Sequence, residues 1–160
     1  MHKQLLSNHS FLIFITASSL LLAACTQTDT VESSLQDIQS ILTAGNADNE
    51  VHYQLSYDAD FPCNTQLQEN WKDDDNNWQH TYRFDLTDIE ISTFVQSKSG
   101  RRAVIYSGYK VAADGTKKVF SEKKINNIRF RASLNDKDQQ IIISAMNKAI
   151  ALCEEKYSFE

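Results

Sequence analysis

Short bursts of strict apolar–polar alternation constrain this chain more than anything else in it, because a period of two suits only a strand with one buried face. Val51-His52-Tyr53-Gln54-Leu55-Ser56-Tyr57 is the cleanest burst. Tyr82, Phe84 and Leu86 alternate with Arg83 and Asp85, and Ile89 and Ile91 resume after Thr87-Asp88. Arg102 to Tyr106 and Lys117 to Ser121 are further strand candidates, and Ile128-Arg129-Phe130-Arg131-Ala132 alternates again. Lys98-Ser99-Gly100 and Asp114-Gly115 are turn sequences of the hairpin kind. Residues 58–79 hold the only proline, Pro62, together with Cys63 and an Asp/Asn-rich stretch. They read as a long loop with a helical turn around Leu67.

Helical periodicity brackets this region. Val31, Leu35, Ile38 and Leu42 recur at steps of four, three and four, which is one face of an amphipathic helix. Asp29 or Thr30 can cap its start, and Gly45 suits its end. Near the C-terminus, Ile142, Ala145, Met146, Ala149, Leu152 and Cys153 form a longer stripe, with Asn135 or Asp136 as cap. Helix, about six strands, then a long helix implies an α+β domain, an antiparallel sheet with the terminal helix packed on its apolar face. This element order resembles the pleckstrin-homology-like superfold. The run Phe84-Asp85-Leu86-Thr87-Asp88-Ile89, followed by strands and an Ala/Ile/Leu/Cys helix, is also similar to small exported bacterial proteins.

The N-terminal segment has a different character. An apolar stretch from Phe11 closes on Leu22-Ala23-Ala24-Cys25, with Lys3 the only charged residue before it. It is too short for a spanning helix, which needs about 20 apolar residues, and it ends in small residues as a secretory leader does. Leu22 to Cys25 resembles the lipobox of bacterial lipoprotein precursors. That resemblance implies removal of residues 1–24, a thioether-linked lipid on Cys25, and usually a further acyl chain such as palmitate on its new amino group. Two chains anchor stably where one does not. Thr26 follows the cysteine, where aspartate favours inner-membrane retention in enterobacterial lipoproteins, so the expected address is the outer membrane facing the periplasm. Residues 25–30 would be a tether and 31–160 a single globular domain.

Removal of residues 1–24 leaves 136 residues with 15 Lys and Arg against 21 Asp and Glu, a formal charge of −6. A modestly acidic chain is a poor general nucleic-acid binder, and its many aromatics argue against disorder. With Cys25 lipidated, Cys63 and Cys153 remain. In an oxidising compartment two remaining cysteines default to one disulfide.

Against this background, the catalytic and metal signatures are incomplete. Asp73, Asp75 and Asn77 match the first three oxygen positions of a calcium loop, but Trp78 stands where the turn glycine belongs and Phe84 where the bidentate glutamate belongs. A solvated loop is the better reading. His52 and His80 have no nucleophile or metal-ligand spacing around them, and the glycines form no phosphate loop. No catalytic residue, metal site or cofactor is therefore assigned. Charge distribution is the one unusual property. From Lys98 to Arg131 there are ten Lys and Arg and two acids, a net of +8, against −14 for the rest of the mature chain. The candidate basic face comprises Arg101, Arg102, Lys117, Lys118, Lys123, Lys124, Arg129 and Arg131. The favoured explanation is that outward strand residues pair with acidic loops and the terminal helix, because a strand's polar face must carry something and lysines discourage edge pairing. The functional expectation is a non-enzymatic, lipid-anchored binding or structural module, held to the membrane through Cys25, with an envelope protein or anionic partner. The alternatives are a small-ligand carrier using a curved-sheet pocket and a hydrolase with dispersed residues.

Overall fold

A computed structural model describes residues 29–45, 51–92, 95–98, 101–129 and 134–157. The expected leader, Cys25 and most of the tether lie outside the described residues, as do Ser99, Gly100, Phe130 and Arg131. Helix α1 spans Val31–Gly45. Its start is a reciprocal cap: Ser33 N–H donates to Thr30 Oγ1 at 3.1 Å, and Thr30 N–H donates to Ser33 Oγ at 3.0 Å. The whole expected stripe of Val31, Leu35, Ile38 and Leu42 is buried. Helix α2 spans Asp136–Tyr157, and Asn135 caps it by accepting the Asp138 N–H at 2.9 Å. Its buried stripe is Ile142, Met146, Ala149, Ile150 and Cys153. No described helix is long and apolar enough to cross a membrane.

Among the described residues, eight strands lie between the helices, in two sheets. β1 (Val51–Tyr57), β2 (Asn64–Asp73), β3 (Asn76–Asp85), β6 (Val104–Val111) and β7 (Lys117–Ile125) form an antiparallel sheet in that order. A 3-10 turn, Leu86–Asp88, leads into a small sheet of β4 (Ile89–Ile91), β5 (Val95–Ser97) and β8 (Asn127–Ile128). The architecture is α+β, as the periodicities imply.

The stretch expected as a long loop with a helical turn is instead the longest hairpin of the fold. β2 pairs with β3 from Asn64↔Asp85 to Asp73↔Asn76, and only Asp74 and Asp75 form the turn. Asp74 sits at φ 31, in the left-handed region that aspartate tolerates better than most residues. The Asp/Asn cluster is therefore a hairpin tip rather than an ion-binding loop. Among the described residues no group of His, Cys, Asp and Glu could hold a metal ion. The β6–β7 connection runs through Asp114-Gly115, with Gly115 at φ 84. Asp114 accepts the Thr116 N–H at 2.9 Å, and these Thr116 hydrogen bonds hold its carboxyl below the usual carboxylate range.

One face of the large sheet turns inward. Along it, cross-strand rows run Tyr53–Glu69–His80–Gly108 and Leu55–Leu67–Tyr82–Tyr106–Lys123. Helix α1 lies along β1, and the Gln39 side chain accepts the Leu55 N–H, covering that sheet edge. Helix α2 lies against α1, the 3-10 turn and β4 rather than across the middle of the large sheet. Tyr82, Phe84 and Ile128 nonetheless join its stripe in one buried cluster. Cys63 and Cys153 are bonded, with Cα atoms 5.9 Å apart, and fasten the turn before β2 to the last turns of α2.

Candidate anion-binding cleft

The described helices gather over β1, β4 and the 3-10 turn, so among the described residues neither helix lies over the far end of the inner face. Aromatic side chains fill it. Trp71 and Trp78 face each other across β2 and β3, 6.3 Å apart and nearly parallel. The His80 ring meets Trp71 edge-on at 4.3 Å and Tyr106 at 5.0 Å. Phe120 meets Trp78 at 5.2 Å, with the planes at 87°.

Beneath the rings lies a carboxylate. Glu69 is only 2% exposed, and its alternating position on β2 aims it at the core. Burying a charged group costs on the order of several kcal/mol unless partners replace the lost water. Tyr53 Oη donates to it at 3.1 Å, Tyr82 Oη at 3.3 Å, and His80 Nδ1 lies at 3.2 Å. For that contact to be a hydrogen bond, His80 carries a proton on Nδ1. The contact through Nδ1 orients the His80 ring over Glu69.

Beside His80 the face opens into a cleft of about 570 Å³. Its floor is His80, Tyr82 and Tyr106. Its rim carries Arg102 from the segment before β6, Lys123 and Lys124 from β7, and Arg129 after β8. Lys123 Nζ also lies 5.6 Å from the centre of the Tyr106 ring. No Asp or Glu lines this cleft among the described residues.

The eight-residue basic segment thus does not form one face. Arg102, Lys123, Lys124 and Arg129 converge on the cleft. Lys117 lies at the other end of β7, over Tyr109 at 5.7 Å and beside a separate hollow of about 310 Å³. Lys118 stands opposite Lys110 in the β6–β7 ladder, outside the cleft lining, as is the exposed Arg101, and Arg131 lies outside the described residues. His52 is exposed on the outer face and takes no part. Glu69 and Trp71 are absent from the residues singled out by sequence, because β2 reads there as loop. The alternation Thr65, Leu67, Glu69, Trp71 was the available signal, interrupted by one charged residue.

Chemically, four cations above an aromatic floor can hold an anionic group through charge-assisted hydrogen bonds while a flat or apolar body packs below. No protein family, curated protein or solved structure matches this chain.

Proposed function

We propose that this chain is an envelope lipoprotein, anchored by acyl chains on Cys25 in the outer membrane and facing the periplasm. Its folded domain acts as a non-enzymatic binding module that takes an anionic partner in the basic cleft. One observation carries this reading: Arg102, Lys123, Lys124 and Arg129, supplied by separate segments, meet over one hollow with no carboxylate in its lining. A cluster of cations with no carboxylate in its lining raises the local concentration of an anion. The lipobox resemblance supports the anchor, and the disulfide suits an oxidising compartment.

The test uses the two tryptophans. The chain has no others, and both stand at the far end of this face. The full chain in phosphatidylcholine nanodiscs is titrated with tripolyphosphate while tryptophan emission is followed. A saturable change that high salt abolishes is expected. Arg102→Glu with Lys123→Glu should remove it, while Lys117→Glu with Lys118→Glu should retain it. Equal responses from the two pairs would place the anion elsewhere.

The aromatic floor favours a second reading, a carrier for a small anionic ligand. In that case a small molecule released on denaturation should be found by mass spectrometry of the purified protein.

A further inference from the structure

Phe120 occupies an unusual position. β7 pairs Ser121 with Gly108 and Val119 with Tyr109, so Phe120 is the extra residue of a β-bulge. Bulges re-aim side chains and recur next to sites. This one lays the Phe120 ring on the inner face directly over Gly108. A Cβ at Gly108 would stand 2.4 Å from Phe120 Cζ and 2.7 Å from Tyr106 Oη. Only a glycine leaves the ring that space. The ring is nevertheless 50% exposed, so the bulge does not serve to bury it. It stands beside Trp78 and 6.1 Å from His80, which lines the cationic cleft.

We infer that the anion is borne by a sugar ring, an acidic saccharide whose apolar face packs on Phe120 while its carboxylate or phosphate enters the cleft. This rests on the anion-binding reading above and names its ligand class. Three features select the class. The cleft lining includes Asn126 and Asn127, whose amides both donate and accept and so match neighbouring hydroxyls. Next to the cleft, Trp78 stands at 87° to Phe120 and His80 at 68° to Tyr106, while the near-parallel pair Trp71 and Trp78 lies outside the cleft lining. The rings at the cleft therefore offer single faces for a puckered ring, not a parallel slot for a flat base. The aliphatic lining is limited to Ile125 and Ile128, too little to receive an acyl chain.

The experiment follows tryptophan emission of the full chain in phosphatidylcholine nanodiscs. The probes are a galacturonate trimer, glucose 6-phosphate, neutral maltotriose, tripolyphosphate and oligothymidylate. A parallel sample in phosphatidylglycerol nanodiscs reports any response to an anionic bilayer. The galacturonate trimer or glucose 6-phosphate should bind at least about tenfold tighter than maltotriose, and which of the two does so identifies the anionic group. Phe120→Ala should weaken acidic-sugar binding about tenfold, the size of a lost ring contact. It should leave tripolyphosphate binding and the melting temperature unchanged, and Phe120→Tyr should restore the sugar. If Phe120→Ala binds the acidic sugar as well as the wild type, the inference is overturned. It is equally overturned if oligothymidylate or phosphatidylglycerol outcompetes the sugars. In those outcomes the anion-binding reading survives as long as tripolyphosphate still binds. If tripolyphosphate also fails to bind, that reading falls as well.

Discussion

Removing the disulfide should have the largest effect on stability of any two-atom change. The bond joins residues 90 apart, from the turn before β2 to the end of α2. In the chain-entropy model a loop of that length raises the free energy of the unfolded state by about 4.5 kcal/mol. Both cysteines are buried, Cys63 at 3% and Cys153 at 0% exposure. Replacing them by alanine therefore also leaves two sulfur-sized gaps, adding on the order of 1 kcal/mol. The sum matches the lower end of the total stability of a small domain, roughly 5–15 kcal/mol. The double variant Cys63→Ala, Cys153→Ala should accordingly melt about 15 °C lower, at roughly 3 °C per kcal/mol for a chain of this size. Differential scanning calorimetry measures it. Intact-mass analysis after alkylation of the unreduced wild type should find neither thiol of this pair modified. A melting temperature within about 3 °C of wild type would refute the reasoning, since a closed loop of this length could not then be constraining the unfolded chain.

Other substitutions probe separate parts of the structure. Ile142→Asp places a charge at a position 4% exposed in the α2 stripe, and cooperative thermal unfolding should be lost. Gly108→Ala should displace the Phe120 and Tyr106 rings by their free ends. Tryptophan emission and near-ultraviolet circular dichroism should change while the melting temperature moves only slightly. Glu69→Leu removes the acceptor of two tyrosine hydroxyls and the partner of His80, and should lower stability by about 2–4 kcal/mol in urea unfolding. Cys25→Ser should leave an uncleaved product that takes up no labelled palmitate.

Much of the fold was legible because burial follows periodicity. Val31, Leu35, Ile38 and Leu42 lie where a step of three and four puts them, and Tyr53, Leu55, Tyr82 and Phe84 where a step of two does. The cysteine pair followed from counting. β2 was missed for an identifiable reason: its outer face is Asn64, Gln66, Gln68 and Asn70, and its inner face includes Glu69, so the hydrophobic contrast is weak. The tip Asp74-Asp75 then extended the loop reading across the whole hairpin. The basic cluster was visible as composition but not as geometry. Lys123 and Lys124 are neighbours in sequence on opposite sides of a strand, and only the approach of the segments around Arg102 and Arg129 makes a rim. Nothing local in a sequence encodes that approach. Phe120 was equally hidden, because a bulge breaks the period that would have assigned its face.

Whether the cleft receives an anion can be read residue by residue. Amide and side-chain NMR shifts of the labelled full chain in nanodiscs would be followed as tripolyphosphate is added. The expected result is a cluster of saturable shifts at Arg102, Lys123, Lys124, Arg129 and the His80 ring, with no shifts at a separate groove between α1 and α2, about 550 Å³ and lined by Ser33 and Lys148. Shifts centred on that groove, or scattered over the exposed lysines without saturation, would contradict the assignment of this cleft as the binding site.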